Sequence, residues 1–224
     1  MFDIALPNGS WQTTLLDAFV SEGTPIPPLT RAHWQKINIY PVSRIVWMRP
    51  QHVPLAVLSG MVHLGITGSD CYEEWRLGSQ FTNLQQVGQG LACGLVGGQR
   101  KVCLVGAEED QEQADFDIFS EFPLLTRARS ITASSATLIQ PSVGSVEAMI
   151  PRPFRFGVTV VQTGASLEAN RLRIVEILMD VSLNLYVRDD CGQRYWEYNE
   201  FYERLQRASL KLLERTRMKQ QKLV

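Results

Sequence analysis

Strand-like apolar runs that break into a Gly-containing turn and then a helix constrain this chain more than any other feature. "FDIALP" closes on Pro7, Asn8 and Gly9, and a helical pattern follows from Ser10, with Trp11, Leu15, Leu16 and Phe19 at helical spacing up to Gly23. "MVHLGI" closes on "TGSD" and leads into "YEEWRLGS", a short helix or turn. "RFGVTVVQ" closes on Thr163 and Gly164 and leads into "ASLEANRLRIVEILMDV", which has the spacing of one amphipathic helix. Elsewhere, "INIYPVSRIVWMRP" reads as two strand pieces around Pro41, and "HVPLAVLSG" as a short helix stopped at Gly60. "GLACGLVGG", "KVCLVGA", "SITASSATLIQ" and "SLNLYVRD" are strand-like, "EEDQEQADFD" is a solvated loop or helix start, and "SVGSVEAMI" is a turn into a short helix. The tail is a long helix with Phe201, Leu205, Ala208 and Leu212 along its apolar stripe. Strands alternating with helices predict an α/β chain with mostly parallel sheets, and such sheets bind ligands at their Gly-rich strand ends. Strand clusters on either side of about residue 95 predict two lobes of mixed or parallel sheet flanked by helices, with a ligand cleft between them.

Composition narrows the function. With 45% hydrophobic and 20% charged residues the chain is globular, and a net charge of -1 argues against nucleic-acid binding. Four cysteines (Cys71, Cys93, Cys103, Cys191) without a CxxC pair, and only three histidines, argue against zinc and for free thiols in a reducing compartment. "MFDIALPNGS" is no signal peptide, and no apolar run approaches the roughly 18 residues of a membrane span, so a cytoplasmic protein is expected.

Four places have side chains suited to phosphorylated ligands. In "TGASLEAN", unsatisfied N–H groups at a helix start attract an anion, Gly164 lets it approach, and Thr163 and Ser166 add hydroxyls. The plainer alternative is that Thr163 or Ser166 only caps the helix. In "LGITGSD", Gly65 and Gly68 suit a ligand passing over the backbone, with Asp70 accepting from a hydroxyl or amine; alternatively the stretch is a tight turn with Asp70 as cap. Arg49, at the end of "RIVWM", is placed to pair phosphates, or to form a surface ion pair. Glu147 in "GSVEAM" is a ligand carboxylate or a first-turn acid.

Taken in order, these motifs give the chain a resemblance to the short form of ATP phosphoribosyltransferase, the first enzyme of histidine biosynthesis. "IALPNG" resembles I-A-L/I-P-K-G-R, and "RPQHVPLAVLSGMVHLGITGSD" resembles R-x-x-D-I-P with D-L-G-I-x-G-x-D. "FSEFPLLTR" resembles I-A-T-x-Y-P-x-x-T-R, "GSVEAM" resembles G-S-V-E-x-A-P, and "VVQTGASLEANRL" resembles D-x-V-x-T-G-x-T-L-x-x-N-x-L. The resemblance covers almost the whole chain. It implies a fold like the type II periplasmic binding proteins, with the chain returning to its first lobe: residues 1–95 plus 178–224 in lobe I, and 96–177 in lobe II with the phosphoribosyl-diphosphate loop. It also implies transfer of a phosphoribosyl group from phosphoribosyl pyrophosphate to N1 of ATP, with Mg2+ carried by the substrate and no protein metal site. By resemblance, Thr163, Gly164, Ala165, Ser166 and Leu167 hold the 5′-phosphate. Arg49, Asp70, Glu147 and Thr159 are the catalytic candidates, and Asn8, Gly9, Ser10 and Gly68 line the nucleotide and pyrophosphate cleft. A homodimer is implied, and so is pairing with a regulatory subunit resembling histidyl-tRNA synthetase, because the histidine-binding extension of the long form is absent. Neither a nucleic-acid nor a membrane partner is expected.

Several charges of the pattern are missing. Its Lys and Arg are Asn8 and Ser10 here, its loop Asp is Thr159, and its D-I-P and D-L-G-I aspartates are His52 and His63. Two readings stay open. In one, contacts have shifted, with Arg152, Arg155, His52 or His63 supplying cations. In the other, the fold keeps an anion pocket but is non-catalytic or regulatory, or serves another acceptor. For His52 and His63 a hydrogen bond to backbone is the plainer role. The aromatic residues Trp196, Tyr198, Phe201 and Tyr202 of the last helix either pack on their own lobe or form an interface.

Overall fold

The protein is described by a computed structural model covering residues 1–21, 26, 30, 33–39, 42–79, 84–91, 100–109, 116–188 and 195–221. In chain order its elements are β1 (Phe2–Pro7), α1 (Gln12–Ser21), β2 (Trp34–Ile39), β3 (Val42–Met48), α2 (Val53–Leu58), β4 (Leu64–Gly68), α3 (Ser69–Gly78), β5 (Leu84–Leu91), β6 (Arg100–Ala107), β7 (Asp117–Ser120), α4 (Pro123–Arg129), β8 (Leu138–Pro141), β9 (Phe156–Val161), α5 (Ala165–Ala169), β10 (Leu172–Val181), β11 (Leu183–Arg188) and α6 (Tyr195–Gln221). They fall into two units: Met1–Tyr72, Gln80–Val96 and Ser182–Val224 form unit 1, and Glu73–Ser79 with Gly97–Val181 form unit 2.

Unit 1 is built on a six-stranded sheet in the order β2-β3-β1-β4-β11-β5. All six residues of β1 are buried, Asp3 included, as a largely apolar central strand requires. β1 pairs in parallel with β3 and β4, whereas β2 and β11 add antiparallel pairs, so the sheet is mixed rather than mostly parallel. Gly65 lets α2 close on β4, because a Cβ there would overlap Val53 and lie 2.7 Å from Val57 Cγ2. The aromatic face of α6 is used inside this unit: Tyr198, Phe201 and Tyr202 are buried, and Tyr198 and Phe201 meet the Phe2 ring edge-on at 5.4 and 5.3 Å. Trp196 alone of the four aromatics is exposed.

Unit 2 holds a five-stranded sheet in the order β10-β6-β9-β7-β8, parallel among β8, β7 and β9 and antiparallel on the β6 side. The helix expected over "ASLEANRLRIVEILMDV" stops at Ala169, where Arg171 turns left-handed (φ 52°), and Leu172–Val181 is instead a strand on the sheet edge, antiparallel to β6. The local spacing of Ile174, Leu178 and Val181 fits a helix, but pairing with β6 gives partners to the backbone groups along one edge of the segment and buries Leu172, Leu178 and Val181. "SITASSATLIQ" is a strand only at Leu138–Pro141; Thr132–Ser135 is a 3₁₀ turn, held with Ser130 by Glu176, which accepts from Ser130 Oγ at 2.7 Å and from the Ile131 N–H at 2.9 Å. Gly23, Pro41, Cys93, Cys191 and most of "GLACGLVGG" and "EEDQEQADFD" lie outside the described residues.

Candidate functional site

Parallel strands place the loops after their carboxyl ends side by side, and in each unit the candidate residues collect at that end. In unit 1, Pro7 pairs with Met48, and the Asn8 N–H donates to Met48 O at 2.8 Å, one step beyond the strands. Asn8, Gly9 and Ser10 follow β1, with Gly9 left-handed at φ 77° and the buried Trp11 anchoring the turn. Arg49 ends β3 in an extended, exposed position before the 3₁₀ turn Pro50–His52. Thr67 Oγ1 donates to Pro50 O at 2.8 Å and so ties the end of β4 to the end of β3. Gly68 and Asp70 complete the group. The buried Asp70 carboxylate folds back over Gly68 so closely that a Cβ on Gly68 would overlap Oδ1. Reciprocal bonds brace this turn: the Ser69 N–H donates to Ser182 O at 2.7 Å, and the Ser182 N–H donates to Ser69 Oγ at 3.0 Å.

The lost aspartate at His63 has a structural account. Its Nδ1 accepts the N–H of Asp3 at 3.0 Å, the backbone role expected as the plainer one. Asp3 is buried, accepts from Ser43 Oγ at 2.7 Å and pairs with Arg44, whose guanidinium holds its carboxyl below the usual carboxylate range.

In unit 2, the ends of β7, β8 and β9 are aligned by the pairs Ser120–Pro141 and Ser120–Val158. After β8, Gly144 (φ 129°) and Ser145 (φ 58°) form a left-handed corner that opens the 3₁₀ turn Val146–Met149 bearing the half-buried Glu147. After β9, Gly164 is left-handed at φ 80° and opens α5, with nothing within 4 Å of where a Cβ would stand. The Ala165 N–H donates to Thr163 Oγ1 at 3.4 Å, the limit of a useful cap, and Thr163, Ala165 and Ser166 are exposed. Leu167 is buried and packs in one apolar cluster with Val146 and Ile150, so a single core patch seats both the Glu147 turn and the Thr163–Leu167 loop. Thr159 is buried on β9, and its Oγ1 donates to Glu121 Oε2 at 3.0 Å.

Arg155, one of the expected cations, is not at this end. Arg155 precedes β9, about 20 Å of strand away from the loop, and its guanidinium stacks 4.9 Å from the Phe156 ring and 5.3 Å from that of Phe116. The cations that do lie there are Lys101, which faces Val161 in the β6–β9 register, and the buried Arg100, one residue further on. Arg100, Lys101 and Glu121 escaped sequence reasoning because only strand register brings "RK" and "SE" to the loop; a charge directly at a strand end is the one sequence signal they offer. The start of "FPLLTR" has a structural account: the N-terminus of α4 is closed by Glu74 of α3, which accepts from the N–H groups of Leu124 and Leu125 at 3.0 and 2.8 Å.

Burial pushes the Cys103 thiol up to about 11, so it is unreactive at neutral pH. Among the described residues no group of three or more His, Cys, Asp or Glu is arranged to hold a metal, and no helix is long and apolar enough to cross a membrane, which leaves β-barrels unaddressed.

A family model described as ATP phosphoribosyltransferase matches residues 49–207. The ATP phosphoribosyltransferase of Rhodopirellula baltica is 30% identical over 154 residues, covering 65% of this chain and 47% of that protein. That of Methanopyrus kandleri is 29% identical over 163 residues, covering 67% of this chain and 52% of that protein. The chain thus spans about half the length of these two curated relatives. Among solved structures, a chain of the ATP phosphoribosyl transferase (HisG:HisZ) complex from Thermotoga maritima superposes with a TM-score of 0.73 at 20% identity, covering 94% of this chain and 100% of that one. The periplasmic aliphatic sulphonate binding protein SsuA from Escherichia coli follows at 0.59 and 14%, covering 98% and 75%. These likenesses, with two mixed sheets flanked by helices, show a two-lobed α/β fold of the type II periplasmic-binding-protein kind.

Proposed function

The chain belongs to the ATP phosphoribosyltransferase family, and on that premise we propose that it transfers the phosphoribosyl group of phosphoribosyl pyrophosphate to N1 of ATP. The bond between the anomeric carbon and the pyrophosphate oxygen breaks, and its electron pair leaves with pyrophosphate. The N1 lone pair of adenine forms the new C–N bond of phosphoribosyl-ATP. N1 is a neutral nucleophile, so the protein's task is placement and charge stabilisation rather than base catalysis.

The observation that carries this reading lies in unit 2, where one apolar cluster seats both the Gly164 turn and the turn bearing Glu147. In the proposed roles, the first-turn N–H groups of Ala165, Ser166 and Leu167 and the hydroxyls of Thr163 and Ser166 hold the 5′-phosphate. Arg100 and Lys101, the latter paired with Asp180 Oδ1 at 2.9 Å, stand at the start of that loop. Glu147 accepts from ribose hydroxyls, and Thr159 stands beside them. In unit 1, Arg49 takes phosphate oxygens, Asp70 accepts from the nucleotide, and the Asn8–Ser10 turn with Gly68 gives backbone contacts. Mg2+ would be held chiefly by the pyrophosphate of the donor. Isolated carboxylates such as Glu147 suit it, since magnesium keeps most of its waters and takes one or two protein oxygens beside phosphates. Bound, it would neutralise leaving-group charge. A homodimer, alone or joined to a regulatory subunit, is the proposed assembly, and histidine biosynthesis is its proposed setting.

A second reading, a donor-binding chain without turnover, draws on Asn8 and Ser10, which put no cation at the end of β1. One assay divides the two. The protein is mixed with ATP, phosphoribosyl pyrophosphate and Mg2+, with and without a regulatory subunit, and phosphoribosyl-ATP is followed by absorbance. Turnover supports the transferase. Donor binding by calorimetry with no turnover under either condition refutes it in favour of the second reading.

A further inference from the structure

The pair Thr159–Glu121 is a side-chain contact at the carboxyl end of the unit 2 strands, and the roles above give its carboxylate no part. Glu121 is the first residue after β7, and its N–H donates to Val158 O at 3.0 Å, continuing the β7–β9 ladder one step past Ser120. Its backbone is therefore fixed relative to β9. Its side chain is fixed as well, because Thr159 Oγ1 donates to Oε2 at 3.0 Å from a residue only 6% exposed. A hydroxyl bond to a carboxylate in such surroundings is stronger than a neutral one.

Alternation along the strands decides where this carboxylate stands. Glu121 shares a face with Phe119, and Thr159 shares one with Gly157 and Val161. A Cβ on Gly157 would overlap Val146 and lie 2.6 Å from Ile150 Cδ1, and both Phe119 and Val161 pack on the cluster that contains Val146, Ile150 and Leu167. Glu121 thus lies on the face, and at the strand end, that carries the Glu147 turn and the Thr163–Leu167 loop.

We propose that Glu121, oriented by the Thr159 hydroxyl, is a substrate-contacting carboxylate whose negative charge faces the ribose of the phosphoribosyl donor. The proposal rests on the transferase reading and names a residue for it. As the anomeric carbon loses pyrophosphate it becomes cationic, and a pre-oriented negative charge of opposite sign stabilises it where water is excluded. Thr159 acts through Glu121 and is a positioning residue: its one proton is committed to Oε2.

Four proteins test this, each read for kcat, KM, donor affinity by calorimetry and melting temperature: wild type, Glu121→Gln, Thr159→Val, and the exchange Thr159→Asp with Glu121→Gln. Gln keeps an oxygen for the Thr159 bond and loses only the charge, so kcat falls about 100-fold with the melting temperature little changed. Thr159→Val leaves the charge unoriented and lowers kcat about tenfold. The exchange returns one negative charge to within a hydrogen bond of its place and recovers about tenfold of the loss. A wild type that turns over while Glu121→Gln equals it in kcat overturns the inference alone, and so does an exchange no better than Glu121→Gln. A wild type without turnover overturns the transferase reading and this inference with it.

Discussion

Replacing Gly157 by alanine joins packing to function in one perturbation. β9 is a central strand, paired on both sides with β6 and β7, so its backbone cannot withdraw. The added Cβ would overlap Val146 Cγ1, lie 2.6 Å from Ile150 Cδ1 and 3.3 Å from Phe119 O, against ordinary contacts of 3.4–4 Å. The side chains must therefore give way by about 1 Å in a core that packs like a crystal. Overpacking of this kind costs about 1–3 kcal/mol, which in a unit of this size lowers the melting temperature by about 4–8 °C per kcal/mol. Val146 precedes Glu147 directly and shares its cluster with Leu167 of α5, so the same displacement shifts both the proposed ribose acceptor and the phosphate loop. A misplacement of about 1 Å at reacting groups can cost about 100-fold in rate. Urea and thermal unfolding measure the first effect, and steady-state kinetics with donor calorimetry the second. Adding Val146→Ala to Gly157→Ala removes the worst overlap and should return part of both. The reasoning is refuted if Gly157→Ala unfolds within about 0.5 kcal/mol of wild type and keeps full donor affinity.

At Gly164 there is open space but a left-handed backbone (φ 80°), so Gly164→Val should cost about 1–2 kcal/mol and abolish calorimetric binding of the donor; unchanged affinity would reduce the loop to a helix start. Gly68→Ala should expel the Asp70 carboxylate from its place over the turn and weaken ATP binding while donor affinity stays, and equal loss of both ligands would contradict the assignment. Glu73 accepts from Arg76 at 2.8 Å and from Arg129 at 2.9 Å, and these bonds, Arg76 first, hold its carboxyl down at about 2 against 4.5. Its folded value is depressed, so its contribution is complete above about 4.5 and is lost as the pH falls from there through about 2. The shift corresponds to at most about 3 kcal/mol, which solvent around the half-exposed arginines reduces to about 1. Urea midpoints of wild type and Glu73→Gln should converge as the pH approaches 2.

The elements that sequence made legible are those whose signal is local. β1 is an apolar run around one acid, Asp3, closed by Pro-Asn-Gly, and both faces are buried. Gly60 ends the α2 segment left-handed (φ 74°), as a C-terminal glycine does. Gly164 opens α5 because no other residue takes φ 80° without strain. β10 was hidden because its apolar positions fit either period, its register slips between Ile174 and Glu176 and again between Ile177 and Met179, and the residue that stops α5 is Arg171 rather than glycine. Pairing with β6, across more than sixty residues of chain, decides the matter, and no local pattern contains it.

The same distinction explains the site. Motifs that are contiguous in sequence, such as "TGASL", "GSVE" and "TGSD", are legible as cradles and turns, whereas a charge read along the sequence belongs only to its own position in those motifs. Read that way, Thr159 is a loss. Across the β7–β9 ladder it is the donor of a bond to a carboxylate rooted one strand away. A parallel ladder holds neighbouring strands about 4.8 Å apart, so a side chain one methylene longer than aspartate can bring its carboxylate from β7 to where a shorter acid on β9 would put its own. Substituting aspartate at Thr159 alone should therefore not raise activity, because it sets a second carboxylate against Glu121 within hydrogen-bond distance, and two such charges cannot both stay in place. A gain in kcat for Thr159→Asp with Glu121 intact would show instead that the charge at β9 is still wanted and that Glu121 does not supply it.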